Sequence, residues 1–141
     1  MSRIFWDSML FIYLLEDHPS FSPRARHLLD RAYRRDDSLY TSYLALGEVL
    51  AGAEKSPSPH KRLAMRQTID EMGFAYLPFD DGAVSPFSSL RGTHKVKIAD
   101  AIHLACAASA GIDLFLTGDK ELVKLDVPGI QFIADFNTPV L

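Results

Sequence analysis

Residues 97–119, KIADAIHLACAASAGIDLFLTGD, limit the possible folds of this chain more than any other stretch. Residues 98–108 have almost no polar face, which predicts a helix that other elements must bury. The apolar segment at residues 112–117 then predicts a strand. A carboxylate stands near each end of the stretch, with Asp100 in the first helical turn and Asp119 just after the strand. Because an ionised carboxylate in a buried helix is costly unless it is paired, we expect the rest of the chain to supply partners for Asp100.

The length and composition are those of a soluble globular protein. At 141 residues the chain is long enough to bury its own core, and residues 1–141 are expected to form one domain. No apolar run approaches the roughly 20 residues of a membrane span, and no cleavage site follows the apolar N-terminal stretch, so a cytoplasmic location without a membrane partner is expected. A single cysteine, Cys106, excludes an intrachain disulfide and a cysteine-based zinc site. The net charge of −3 argues against a protein that holds nucleic acid with its whole surface.

Strand-like and helical segments alternate along the chain, with no internal repeat or low-complexity tract. Strands are predicted at residues 3–6, 39–42, 74–79, 112–117 and 130–133. Helices are predicted at residues 9–15, 23–35, 43–52, 60–72, 98–110 and 120–125, with Leu63, Ile69 and Met72 facing inward in the fourth. A further helix should start after Asp81, but Pro86 predicts that it is kinked or divided in two. This alternation predicts a three-layer α/β/α sandwich around a mainly parallel sheet.

Four acidic residues stand where such a sheet would bring them together. Asp7 follows the first strand and Asp119 the fourth, while Asp100 opens the buried helix. Glu48 lies between apolar neighbours in the helix after the second strand. In parallel α/β sheets, sites form at the carboxyl edge of the strands, so the four side chains are expected to converge there. Taken alone, Asp7 is better interpreted as an ordinary helix cap.

Four neighbouring carboxylates would repel one another by several kcal/mol, even at an effective dielectric constant of about 20. Such a cluster persists only if some members are protonated or if a cation neutralises them. Oxygen ligands alone favour Mg²⁺ or Mn²⁺ over zinc, and a carboxylate-held Mg²⁺ suits phosphoester hydrolysis. The sequence contains no HExxH motif, so it gives no sign of a transition-metal site of that kind. It also contains no glycine-rich nucleotide motif, so a nucleotide cofactor is not expected.

The order Asp7, Glu48 in LALGEVLAG, Asp100 in ADAIHLACA and Asp119 in FLTGD resembles the PIN-domain family, and most of all its VapC-like toxins. The likeness extends over essentially the whole chain, and DAIHLA followed by DLFLTGD is its most specific part. It implies a Mg²⁺- or Mn²⁺-dependent endoribonuclease in which the four acids hold the metal ion. A metal-bound water would attack the RNA backbone. Thr117, in the position of the family's hydroxyl before the last acid, would support the site.

The same resemblance implies partners as well as a substrate. VapC-like toxins typically form homodimers and are silenced by a cognate antitoxin whose tail blocks the acidic pocket. Two departures from the family's pattern are visible. Ser8 and Met9 replace the asparagine that often follows the first acid, and Pro86 disturbs the helix before the buried one.

Other interpretations remain open at this point. A PIN-like fold can serve as an RNA- or protein-binding module that cleaves nothing, although a degenerate member would be expected to lack at least one acid. A receiver-like phosphoacceptor ranks last, because Asp7 is followed by Ser8 and not by a second acid.

Basic residues and one histidine near the acids need separate weighing. His103 shares a helix face with Asp100, and a hydrogen-bonded core histidine is favoured over a metal-site or phosphate contact. A small basic cluster of Arg91, His94, Lys95 and Lys97 precedes the buried helix.

Overall fold

A computed structural model describes residues 1–55 and 57–141 of the chain. The strands in this part are β1 (Arg3–Trp6), β2 (Ser38–Ser42), β3 (Ala75–Leu77), β4 (Leu114–Thr117) and β5 (Phe132–Asp135). The helices are α1 (Ser8–Leu15), α2 (Ser22–Arg34), α3 (Tyr43–Ala53), α4 (Pro59–Glu71), α5 (Asp81–Gly92), α6 (Ile98–Ala110) and α7 (Lys120–Val123). None of the described helices has both the length and the apolar character needed to cross a membrane.

The strands form one sheet in the order β3-β2-β1-β4-β5, and every neighbouring pair is parallel. From β1 the chain moves outward through β2 to β3, then returns to the other side of β1 to form β4 and β5. The strand order therefore reverses between β1 and β4. In open α/β sheets a crevice opens at such a switch point, beyond the carboxyl ends of the strands. Asp7 and Asp119 follow these two strands directly.

The sheet separates two apolar cores because successive strand residues point to opposite faces. In β1, Ile4 and Trp6 pack against α1, α2, α3 and α4 on one face. Phe5 points to the other face, where it stacks on Phe115 at a centroid distance of 4.7 Å and packs against α6. The parallel three-layer α/β/α fold predicted from the sequence is thus confirmed.

The buried character of α6 is also confirmed. Residues 101 and 103–107 are buried, and only the two ends of the helix reach solvent. Cys106 is 2% exposed, and burial raises the pKa of its thiol to about 11. A buried, protonated thiol is an inert packing group, as the sequence indicated. The helix ends at Gly111, whose φ of 68° is the left-handed conformation that favours glycine.

Some local predictions are wrong. The segment around Pro86 is not divided in two, because Pro86 lies inside one continuous helix, α5. The helix packs along α6, so tertiary contacts offset the hydrogen bond that proline removes. Leu63 was expected in the core but is 61% exposed on α4. The last strand runs from Phe132 and not from residue 130.

Candidate active site

Asp7 combines a structural and an electrostatic role at the end of β1. Its backbone N–H donates to the Leu116 carbonyl at 3.1 Å, which extends the pairing of β1 with β4. Its carboxylate caps α1 by accepting from the Met9 N–H at 3.1 Å, as the helix-cap interpretation predicts. The residue is only 5% exposed. Burial is the main reason that its pKa is raised from 3.8 to about 6.

Thr117 links the two acids that follow β1 and β4. Its hydroxyl donates to Asp7 Oδ2 at 2.6 Å and accepts from the backbone N–H of Asp119 at 3.0 Å. The side chain is fully buried, so both hydrogen bonds are shielded from water. Asp119 in turn caps α7 by accepting from the Glu121 N–H at 2.9 Å. The supporting position that the family resemblance implies for Thr117 is consistent with this geometry.

Asp100 couples the acids to one another. It lies half-buried in the first turn of α6. Burial raises its pKa most, and the negative charge of Asp119 raises it further, whereas His103 lowers it; Glu48 raises the pKa and Lys97 lowers it by smaller amounts. The charge of Asp100 likewise contributes to the raised pKa of Asp7. The structure therefore brings all four predicted acids into one electrostatic environment, with Asp100 at its centre.

An open cavity of about 450 Å³ gives solvent access to this environment. Glu48, Asp100 and Asp119 line it, together with Ser8, Met9, Gly118 and Lys120. Asp7 does not line the cavity, because its carboxylate is buried by the start of α1 and by Thr117. Three of the predicted acids thus face solvent at the carboxyl edge of the sheet, and the fourth lies just inside the protein.

The chemistry of these side chains fits a hard divalent cation. Within residues 1–55 and 57–141, no three Asp, Glu, His or Cys side chains converge closely enough to form a complete ligand set. Mg²⁺ does not need one, since it commonly keeps several waters and takes one or two carboxylates. Burial is the main cause of the raised pKa values of Asp7 and Asp100, and the negative charge of neighbouring carboxylates, which is only partly compensated, raises them further. A cation would supply that compensation.

A buried hydrogen-bond chain runs from Glu48 into the core. Glu48 Oε1 lies 2.6 Å from His103 Nε2, and His103 Nδ1 lies 2.7 Å from Ser42 Oγ. Ser42 also caps α3 by accepting from the Ala45 N–H at 2.9 Å. The imidazole donates from Nε2 to the Glu48 carboxylate, and its Nδ1 is hydrogen-bonded to the Ser42 hydroxyl, so both ring nitrogens have partners. His103 is therefore a core histidine, as favoured from the sequence, and it also orients Glu48.

Sequence reasoning missed the chain Glu48–His103–Ser42. The sequence favours a hydrogen-bonded core histidine at residue 103 but does not identify Ser42 and Glu48 as its partners. The partners lie 55 and 61 residues away along the chain, so no local spacing marks them. The one available signal was a polar imidazole in an otherwise apolar helix, since buried polar groups need partners.

The pKa of Asp7 predicts how the metal-free protein responds to pH. Because the folded-state pKa is raised from 3.8 to about 6, folding favours the protonated acid, and stability should fall as the pH rises through this window. Each pKa unit corresponds to about 1.4 kcal/mol, so the loss from this group is about 3 kcal/mol. Thermal unfolding in a chelator across this pH range measures the loss. Asp7→Asn should flatten the profile, and an equally steep fall in that variant would contradict the assignment.

Comparison with known proteins agrees with the observed fold. The PIN-domain family model matches residues 4–128. Curated protein sequences give no significant match. Among solved structures, VapBC2 from Rickettsia felis bound to a promoter DNA fragment has a TM-score of 0.75 at 13% identity, over 94% of this chain and 98% of that chain.

Two further structures have the same fold. DNA-bound VapBC from Salmonella typhimurium has a TM-score of 0.72 at 23% identity, over 96% of this chain and 99% of that one. VapBC-5 from Mycobacterium tuberculosis, a member of the VapBC family of toxin–antitoxin systems, has a TM-score of 0.66 at 24% identity over the same shares. The family match covers most of the chain and the fold agrees throughout. This chain belongs to the PIN-domain family.

Proposed function

We propose that this protein is a Mg²⁺- or Mn²⁺-dependent endoribonuclease that acts as the toxin of a toxin–antitoxin pair. One observation carries the proposal: Asp100 lies at the centre of an acidic environment shared with Asp7, Glu48 and Asp119, at the switch point of a PIN-domain sheet. A single-stranded RNA can reach this environment through the open cavity. All four acids that the family resemblance identifies are present.

Each residue has a distinct part in the proposed reaction. A bound divalent cation would supply a Lewis acid and a water with a lowered pKa. Asp100 and Asp119 are positioned to hold the cation from α6 and from the start of α7. His103 fixes the orientation of the Glu48 carboxylate. Asp7, held by Thr117 and by the start of α1, adds negative charge from beneath the cavity.

A protein partner is part of the proposal. The similar structures are VapBC proteins: two are bound to DNA, and the third is a member of the VapBC family of toxin–antitoxin systems. In this chain a second cavity, of about 400 Å³, lies between α1, α3 and α4 and is lined by Ile12, Leu15, Val49, Met65 and Glu48, among others. An antitoxin tail seated there would reach Glu48 and hence the acidic cavity. We propose such an antitoxin, and a toxin homodimer in the cytoplasm, on the strength of the family resemblance.

The test is cleavage of RNA by the purified protein. Single-stranded and structured RNAs should be cut internally with Mn²⁺ or Mg²⁺. A chelator should stop the reaction, because the carboxylates without a metal ion provide no Lewis acid. The products should carry new ends at internal positions. Absence of cleavage with every RNA and both metals, together with absence of Mn²⁺ binding, would contradict the proposal and favour a binding module.

A further inference from the structure

A third cavity, of about 540 Å³, adjoins the acidic one. Asp100 and Asp119 line both, so the two cavities meet at these side chains. The rest of this third cavity is lined by His94, Lys95 and Lys97, by the ion pair of Lys124 with Glu121, and by Val96, Leu122 and Leu125. A molecule spanning both cavities would meet the acids of one and then the side chains of Lys95 and Lys97 in the other.

The basic cluster seen in the sequence divides into two roles. Arg91 is structural, because its Nη1 donates to the Val96 carbonyl at 2.8 Å. The Val96 N–H donates back to the Leu90 carbonyl at 3.1 Å, and the Val96 side chain is buried. These contacts fix residues 93–97, which join α5 to α6 and which we call the cationic loop. The loop is therefore held in place and presents Lys95 and Lys97 at the wall of the cavity.

Lys95 has a backbone conformation that a lysine rarely adopts. Its φ is 56°, in the left-handed region that favours glycine and is strained for other residues. Such strain persists where the surrounding structure imposes it, and it is concentrated at functional positions. A glycine or an asparagine would relieve the strain but would remove the ammonium group from the cavity wall.

The ammonium groups of Lys95 and Lys97 are available to a ligand. Among the residues that the structure describes, neither side chain forms a hydrogen bond or an ion pair. The arginines of α2 differ, because several already have partners in the fold. Arg24 donates to the Phe136 and Thr138 carbonyls, and Arg34 pairs with Asp30. The fold thus gives roles to several arginines of α2, whereas the part of the chain that the structure describes provides no partner for the ammonium groups of Lys95 and Lys97.

We propose that the cationic loop is an RNA-backbone subsite that holds a phosphate flanking the bond to be cleaved. This inference rests on the proposed ribonuclease function and adds to it the path of the substrate. Lysine binds a phosphate as a point charge without base specificity, so the subsite would position RNA of any sequence. It would also offset the repulsion between the acidic cavity and the RNA backbone. The acids would then act on the linkage next to the one that the lysines hold.

Charge-neutral variants test the subsite. Lys95→Asn suits the left-handed backbone and touches no proposed metal ligand, Lys97→Gln removes the second charge, and Lys95→Arg restores charge at residue 95. Lys61→Gln on α4 is the matched control, because it makes the same charge change on a helix that does not line the cavity. The readouts are KM, kcat and the salt dependence of kcat/KM for a single-stranded RNA.

The double variant Lys95→Asn/Lys97→Gln should raise KM by roughly fivefold to tenfold. Lys95→Asn alone should raise KM and leave kcat within about twofold, because Lys95 positions RNA without touching the reacting atoms, whereas the charge of Lys97 also acts on Asp100. The slope of log(kcat/KM) against log[salt] is negative, and each lost phosphate contact should make it less negative by about 0.7. Lys95→Arg should behave as wild type. A KM and a salt slope equal to those of Lys61→Gln would overturn the inference while leaving the ribonuclease proposal intact.

A wild-type protein that cleaves no RNA would instead contradict the ribonuclease proposal. The subsite is then tested by equilibrium binding of a single-stranded RNA oligonucleotide in chelator. Tighter binding by wild type than by the double variant, with the same difference in salt slope, supports the subsite. Equal binding by the two proteins overturns it.

Discussion

Asp100→Asn is expected to remove RNA cleavage and, at the same time, to raise the unfolding temperature of the metal-free protein. The pKa of Asp100 is raised by burial and by the charges of Asp119 and Glu48, so near neutral pH the ionised carboxylate destabilises the folded state. Asparagine keeps the shape and removes the charge. Relief of the burial cost and of this repulsion should raise the unfolding temperature of the metal-free protein. Loss of a metal-holding carboxylate should lower kcat/KM by about 100-fold or more.

Opposite changes in stability and activity distinguish this mechanism from simple unfolding. Thermal unfolding in chelator and cleavage of one RNA with Mn²⁺ are the two measurements. Asp36→Asn is a suitable control, because Asp36 is exposed, has a φ of 58° that asparagine tolerates, and lies outside the acidic cavity. Wild-type cleavage by Asp100→Asn would contradict the mechanism, and so would a fall in unfolding temperature.

His103→Ala is expected to have the largest effect on stability. The side chain is 2% exposed and hydrogen-bonded at both nitrogens. Its removal leaves a cavity in the core and deprives Ser42 and Glu48 of a partner. Large-to-small core changes and lost buried hydrogen bonds together suggest a cost of about 2–4 kcal/mol in the free energy of unfolding. Denaturant unfolding measures this cost, and a change below about 1 kcal/mol would contradict the buried role.

Two substitutions with side chains larger than alanine, His103→Gln and His103→Asn, separate the packing role of His103 from its role in orienting Glu48. Glutamine can place a donor near the position of Nε2, towards Glu48, whereas asparagine can reach only the position of Nδ1, towards Ser42. Both keep part of the volume. His103→Gln should retain more of the wild-type kcat and Mn²⁺ affinity than His103→Asn, by about tenfold, the loss typical when an orienting partner of a metal ligand is removed. Equal values in variants of equal stability would show that His103 serves packing alone.

The architecture and the edge that carries the acids follow from the sequence because they depend on local patterns. Asp7 and Asp119 each end an apolar run, and parallel strands align such ends at one edge. The contribution of Asp7 was only partly predictable: that it caps α1 is a local property, but that it is 5% exposed depends on its neighbours in space.

Properties that depend on distant contacts were not predictable. The bond between His103 and Glu48 joins different helices. The division of the basic cluster depends instead on the shape of the loop after α5, where Arg91 reaches the Val96 carbonyl, and no spacing pattern in the sequence marks that contact. Pro86 was expected to interrupt its helix because propensity disfavours it there. Packing of α5 along α6 overrides that preference, as tertiary contacts commonly do.

Calorimetric titration with Mn²⁺ near pH 6 tests the central claim, that these acids together hold a divalent cation. Because the pKa of Asp7 is about 6, part of the protein carries a proton there that cation binding would displace. We expect saturable binding of Mn²⁺, a heat that changes with the ionisation enthalpy of the buffer, and loss of binding in Asp100→Asn. No saturable heat in the folded wild-type protein, or undiminished binding in Asp100→Asn, would contradict it.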